Sequence, residues 1–301
     1  MGITRWAVAL VFILWAQAAG AGFDAGRAAE SIRKQCGFGP RVPGTAAHEA
    51  CRRWIGDQLR GLGLTVREQA FETTLPLTGK TARCVNIWGV PAADGPTSPA
   101  LIISAHWDTR PYADRDPSGG NPPMLGANDG AAGVAMALEL YRALGDSPLK
   151  NHVALAFWDA EDAGKSGPGL DATWALGARY GAAHKPGWIG RVRVGINLDM
   201  PAGADLVLCR DQYSTDAAGW AMAEIWQIGR DLAPSRFSDE VIRMTDDHRP
   251  WIDAGVPFID LVGWPYAYWH TAGDTPERCD AQAMHALAEV LEQFVRNGSW
   301  K

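Results

Sequence analysis

The sequence has no block of clustered lysine and arginine. Its formal charge of -6 is spread along 301 residues, which argues against a nucleic-acid surface, because phosphate neutralisation needs grouped cations. The five cysteines, Cys36, Cys51, Cys84, Cys209 and Cys279, include no C-x-x-C pair, so neither a thiol redox pair nor a thiolate metal site is indicated. Their odd number leaves at least one thiol free, and spacing assigns no bridge. No apolar run approaches the ~20 residues of a membrane helix. There is no internal repeat and no low-complexity linker, so the length fits one large α/β domain, two small ones being the alternative by size. A peptide or small molecule is the partner these absences leave.

What is present begins with an export pattern at residues 1–21. Arg5 supplies the positive end, residues 6–15 the apolar stretch, and Ala16-Gln17-Ala18 or Ala19-Gly20-Ala21 a small-residue cleavage site. The stretch is too short to anchor in a bilayer, and no cysteine follows it for lipid attachment. Cleavage and release to periplasm or medium are expected, leaving a mature domain of residues 22–301. Such a destination would permit disulfides.

Cys51, Trp54, Ile55, Leu59 and Leu62 recur at helical spacing, which predicts a helix over 45–62 capped by Thr45 and ending before Gly63. Short β-branched or apolar runs at 65–71, 84–90, 100–105, 153–158, 192–198, 206–209 and 256–262 predict strands. Helical patterns lie between several of them, notably 131–144 with Val134, Leu138 and Tyr141 on one stripe. This alternation predicts a single α/β domain with a mixed, mostly parallel central sheet and helices on both faces. A last helix, 280–295, is capped by Asp280 and turns Met284, Leu287, Leu291 and Phe294 inward. Residues 91–99 and 110–123 read as surface loops.

The chemistry concentrates where strands end. His106-Trp107-Asp108, Asp159-Ala160-Glu161-Asp162 and Asp199 each follow or close a predicted strand, and open α/β sheets bind ligands outside the carboxyl ends of their strands. His106 and Asp108, two apart in extended chain, project to the same side, so the carboxylate can orient the imidazole. Asp129, in Gly126-Ala127-Asn128-Asp129-Gly130, falls at a helix start and would by itself be a cap. Glu161 and Asp162 would ordinarily form a solvated acidic turn, but adjacent carboxylates can divide labour, one ligating a metal while its neighbour moves protons. His270, in Trp269-His270-Thr271, follows the strand 256–262 and alone would be structural. With Asp129 and Asp162 it completes a nitrogen and oxygen ligand set suited to zinc, with a fourth position open. His48 and His285, on predicted helices, and His152 and His184, in or near loops, are given no role. For His248 the ordinary reading is a helix start capped by Asp247, and the sharper one a site-facing side chain.

In this order the motifs resemble those of the zinc-dependent family-28 metallopeptidases, the group containing bacterial aminopeptidases and the animal-type glutaminyl cyclases. The resemblance runs from Phe38-Gly39-Pro40-Arg41-Val42-Pro43-Gly44 to the last helix. It is strongest to bacterial members of the glutaminyl cyclase branch, through His106-Trp107-Asp108-Thr109-Arg110-Pro111, Gly126-Ala127-Asn128-Asp129-Gly130, Glu161-Asp162, Asp246-Asp247-His248 and Trp269-His270-Thr271. It implies catalytic zinc on Asp129, Asp162 and His270, Glu161 as general base and acid, Asp199 and Asp247 in a hydrogen-bond network beside it, and Trp269 lining the substrate pocket. Two departures stand out: many aminopeptidases of the group carry two glutamates where this chain has Glu161-Asp162, and an aspartate pair where it has Asp129-Gly130. His106 and Asp199 remain, at positions that in the peptidases hold a second zinc bridged through Asp129, so one zinc or two is left open.

The resemblance implies cyclisation of an N-terminal glutamine to pyroglutamate with release of ammonia. The alternative is a two-metal aminopeptidase in which Glu161 deprotonates a water. A non-catalytic exported binding protein would be expected to have lost Glu161 or a ligand, and this chain has lost neither.

Overall fold

The computed structural model describes residues 22–91 and 99–301. The expected export segment and nearly all of the expected loop at 91–99 lie outside the described residues. Among those described, no helix is long and apolar enough to cross a membrane.

Phe23 already belongs to the core, and α1 (Ala25–Cys36) and α2 (Ala46–Gly61) follow it. Thr45 caps α2 by accepting the His48 N–H, as its residue type predicts. Two long antiparallel strands come next, β1 (Thr65–Thr74) and β2 (Thr81–Val90). The chain then builds β3 (Leu101–His106), α3 (Gly133–Ala143), β4 (Val153–Trp158), α4 (Leu176–Ala183) and β5 (Val194–Asp199). After β6 (Leu208–Asp211), α5 (Gln212–Leu232), β7 (Phe237–Ile242) and α6 (His248–Asp253) come β8 (Phe258–Val262) and α7 (Ala281–Asn297). Asp280 caps α7 through the Ala283 N–H.

Among the described residues the central sheet has six strands in the order β1-β2-β4-β3-β5-β8. The last four are parallel, and β2 joins them antiparallel at β4, which is the mixed, mostly parallel sheet the sequence predicts. Side-chain alternation along β4 sends Val153, Leu155 and Phe157 to one face and Ala154, Ala156 and Trp158 to the other. The first face is covered by α1, α2, α3, α5 and α7, the second by α4 and α6. Gly133 lets α3 lie directly on the sheet, since a Cβ there would meet the Leu198 carbonyl oxygen at 2.3 Å.

Two expectations change. The run at 206–209 does not join the central sheet: the strand is β6, and it pairs in parallel with β7 in a separate two-stranded sheet. β7 itself carries no apolar run, half of it being exposed, and periodicity alone does not flag it. The helix expected from residue 131 begins earlier, as a π-helical turn Ala127–Ala132 leading into α3. The five cysteines are all free, four of them buried; burial pushes the Cys51 thiol up to about 12, the condition of an unreactive core thiol.

Candidate metal centre

The four parallel strands aim their carboxyl ends at one edge of the sheet, and β3 lies between β4 and β5, so the chain departs to opposite sides there. Such a switch point opens a crevice. Local backbone then turns the side chains into it. Ala160, Met200 and His270 all adopt left-handed conformations (φ 53°, 47° and 58°), a strain of about 1–2 kcal/mol per residue that persists only where the surroundings impose it. Ala160 reverses the chain after β4 and delivers Glu161 and Asp162; Met200 does the same immediately after Asp199.

Asp129 is not a helix cap. It lies in the π-helical turn with non-helical angles (φ -89°, ψ 89°), followed by Gly130 at φ 108°. A Cβ on Gly130 would meet the Asp108 carbonyl oxygen at 2.5 Å. The capping is done instead by Asp274, whose carboxylate accepts the N–H groups of Asn128 (2.9 Å) and Asp129 (3.1 Å) and the Tyr266 hydroxyl (2.9 Å). From the other side the buried Arg41 donates to the carbonyls of Trp107 (3.0 Å), Leu125 (2.7 Å) and Gly126 (2.7 Å). With its turn held by other groups, the Asp129 carboxylate is free to face the crevice.

Two clusters meet at that carboxylate. On one side Asp129 Oδ1 lies 3.2 Å from His106 Nε2, which is also 3.2 Å from Asp199 Oδ1. On the other, Asp129 Oδ2 lies 3.9 Å from His270 Nε2, which is 3.1 Å from Asp162 Oδ1. In each cluster one ligand atom per residue can be chosen so that all lie within 4.8 Å of one another. Each imidazole turns its second nitrogen to a carboxylate: His106 Nδ1 is 3.6 Å from Asp108 Oδ1 and His270 Nδ1 is 3.4 Å from Asp114 Oδ1, the backing that metal-ligating histidines usually have. Asp108 also accepts the N–H groups of Glu161 (3.1 Å) and Asp162 (3.3 Å), so it fixes the loop as well as the imidazole. Arg110 donates to the Asp162 carboxylate (3.3 Å) and grips Asp114 with two hydrogen bonds (2.7 and 2.6 Å).

The residues fit a zinc ion. Asp129 Oδ2 and Asp162 Oδ2 are buried with no hydrogen-bond partner, and buried orphan oxygens in a nitrogen and oxygen cluster are what a divalent cation satisfies. The electrostatics agree. Burial, then the charge of Asp162, pushes the Asp129 carboxyl up to about 7; burial and the charge of Asp199 push Asp246 up to about 6. Burial would lower His270, but the charge of Asp162 and hydrogen bonds to Asp114 and Asp162 lift it to about 9. Asp129 and His270 thus bind protons near neutral pH that a bound cation would displace.

Glu161 belongs to neither cluster. It lines the same cavity, of about 390 Å³, as Asp129, Asp162, His270, Asp199 and Asp246. Burial first, then the charge of Asp246, raises its carboxyl well above the ordinary range, the direction a general base and acid needs. The walls are aromatic, with Trp174, Tyr213, Trp264 and Trp269 among them. Trp269 is stacked with His270 (3.8 Å between centroids) and has the Arg115 guanidinium over its ring at 4.1 Å.

Other sequence-derived candidates separate here. Of the pair Asp246-Asp247, it is Asp246 that lines the cavity. Asp247 makes no side-chain cap to α6, and neither of its carboxyl oxygens has a hydrogen-bond partner, while Asp199 bonds to His106. His248 points away from the cavity, into a buried network in which Nε2 meets Asp211 at 3.1 Å and Nδ1 lies 3.7 Å from Asp260. His48 is equally internal, bonded to Asp159 at 2.9 Å and stacked on Trp107. Sequence reasoning gave no site role to Arg41, Arg110, Asp114, Asp246 and Asp274. Arg41, Arg110 and Asp246 stand inside quoted motifs; Asp114 and Asp274 have no local signal.

Asp211 supports the cavity wall from behind. It accepts the N–H of Met244 (3.1 Å) and of Ser214 (2.7 Å) as well as His248, and so holds both ends of the segment bearing Asp246. Burial opposes its charge, yet the hydrogen bond and charge of His248 hold it down at about 2. Its contribution to stability is therefore present above the ordinary carboxyl value near 4 and lost as pH falls through about 2. Asp211→Asn is expected to be less stable at pH 7, with the gap to wild type narrowing by roughly 2 kcal/mol between pH 4 and 2 in urea unfolding. A gap independent of pH would mean that the charge on Asp211 contributes nothing.

The sequence pattern of peptidase family M28 matches residues 86–295. A glutaminyl-peptide cyclotransferase of Drosophila melanogaster is 27% identical over 285 residues, 85% of this chain and 76% of its own. The solved glutaminyl cyclase of Porphyromonas gingivalis is similar with a TM-score of 0.83 at 31% identity, over 91% of this chain and 98% of that one. A Zn-dependent exopeptidase from Parabacteroides distasonis gives 0.83 at 32% identity, over 93% and 100%. Cyclases and exopeptidases thus share this fold along nearly its whole length, and with well over half of its residues inside the family pattern, the chain belongs to peptidase family M28.

Proposed function

We propose that the chain is a zinc-dependent glutaminyl-peptide cyclotransferase, converting the N-terminal glutamine of a peptide to pyroglutamate with release of ammonia. The observation that carries this reading is the placement of one raised carboxyl, Glu161, beside a nitrogen and oxygen cluster on the floor of a cavity of about 390 Å³ with aromatic walls. That volume, at the small end for ligand pockets, suits one residue and its neighbour. The cyclase relatives in Drosophila and Porphyromonas support it.

Asp129, Asp162 and His270 would hold the zinc. When bound, it would polarise the side-chain amide carbonyl of the glutamine. Glu161 takes a proton from the substrate α-amine as that nitrogen attacks the side-chain carbonyl carbon. It returns the proton to the amide nitrogen as the carbon–nitrogen bond breaks, so that ammonia leaves and a lactam ring remains. Asp246, Asp162 and Asp247 are the acids near Glu161 that raise its carboxyl and so strengthen it as the base, while Asp199 holds the His106 imidazole. The tryptophan walls exclude water, which would otherwise compete as nucleophile.

The second reading, an aminopeptidase, is favoured by one observation: His106, Asp129 and Asp199 form a second possible metal group sharing Asp129 with the first. There Glu161 would take its proton from water. Purified protein incubated with Gln-peptides and with chromogenic aminoacyl amides distinguishes the two, with ammonia and free amine followed separately. Ammonia from the Gln-peptides without amine release is expected; amine without ammonia overturns the cyclase reading.

A further inference from the structure

The wall segment Arg243-Met244-Thr245-Asp246 lines the cavity throughout. Arg243 is exposed, Met244 and Thr245 are half-buried, and Asp246 is 4% exposed, so the segment descends from mouth to floor. Its three peptide steps span at most about 10 Å. At the mouth, the Arg243 guanidinium lies 5.2 Å from the centroid of Tyr213, another lining residue, and Arg249 lies 3.9 Å from the same ring. Arg249 is paired with Asp253 at 2.8 Å. Arg243 has no carboxylate partner among the described residues. Beside another lining aromatic, Trp269, stands Arg115, exposed and also without a carboxylate partner among the described residues; its backbone N–H donates to the His270 carbonyl (3.1 Å), which ties it to the segment bearing Trp269. Asp171 is the exposed acidic residue of the lining, against which stand the unpaired Arg243 of the lining and Arg115 over the lining Trp269.

We propose that Arg243 and Arg115 form a cationic subsite at the mouth that selects peptides with an acidic side chain in the second or third position. The inference rests on the reading that the substrate N-terminus lies on the floor against Glu161. An extended peptide advances about 3.5 Å per residue, so the side chains one and two residues beyond the first come level with the mouth. A guanidinium held flat against an aromatic ring keeps its N–H edge free for two parallel hydrogen bonds to a carboxylate.

The test compares Gln-Glu-Phe-amide with Gln-Lys-Phe-amide, and Gln-Ala-Glu-amide with Gln-Ala-Lys-amide, by ammonia release. The kcat/KM ratio of acidic to basic peptide should be about three to ten at low ionic strength in at least one pair and fall towards one at high salt. It should shrink in Arg243→Ala and in Arg115→Ala and fall below one in Arg243→Glu. Each protein is compared with itself, so a loss of folded enzyme cancels. A wild-type ratio at or below one in both pairs, or a ratio unmoved in the double Arg243→Ala, Arg115→Ala variant, overturns the subsite. If no peptide yields ammonia, the cyclisation reading falls, and the same ratio is then read as amine release from the Ala-Glu and Ala-Lys counterparts.

Discussion

Glu161→Gln is expected to lose turnover by a factor of about 10² to 10⁴, the usual contribution of a positioned proton-transfer group, while keeping its metal. The change keeps size and shape and removes only the ability to exchange a proton. Glu161 lies outside both candidate metal clusters, and the hydrogen bond that fixes its backbone comes from its own N–H to Asp108, which the substitution does not touch. A neutral amide also relieves the unfavourable burial of a carboxyl beside Asp246 and Asp162, so the variant should be no less stable than wild type. Steady-state rates alongside elemental analysis provide the check. Near-normal turnover would remove Glu161 from the mechanism.

His270→Ala should do the opposite and lose the metal. Its Nε2 is the sole nitrogen of the cluster with Asp129 and Asp162, and without it two carboxylates face each other across a gap. Affinity should fall at least about a hundredfold, beyond the 10- to 100-fold expected for removing a residue that merely supports a ligand. The comparison with His106→Ala gives the metal count. If the enzyme uses one zinc, His106→Ala keeps a full equivalent per chain; if it uses two, that variant loses one of them. Stoichiometric zinc in His270→Ala would refute the ligand set.

Much of this was legible because the signals are local. Val153 to Trp158 reads as a buried strand from composition alone, and the acids that follow it must then stand at a strand end. Asp129 could be read only as a cap or a ligand, since nothing in its neighbourhood says that Asp274 already does the capping. Asp114 had no signal at all: it sits in a proline-rich loop, four residues after Arg110, and matters only because His270 arrives from elsewhere. Likewise Asp246 and Asp247 are indistinguishable as neighbours until the descent of residues 243–246 puts one of them into the cavity. β7 escaped because Ser238, Asp239 and Glu240 leave no apolar alternation to read.

The clamp by Asp274 links segments 145 residues apart, and it lies in the turn that directly follows His270. During synthesis the Asp129 turn therefore waits, without its clamp and without the His270 imidazole, while the greater part of the sheet is already complete. The centre is built late, from contacts of high sequence separation, which are the slowest kind to form. Ordering of the floor and arrival of its second imidazole are then a single event, so an incompletely folded chain offers the solvent scattered acids rather than a half-made site.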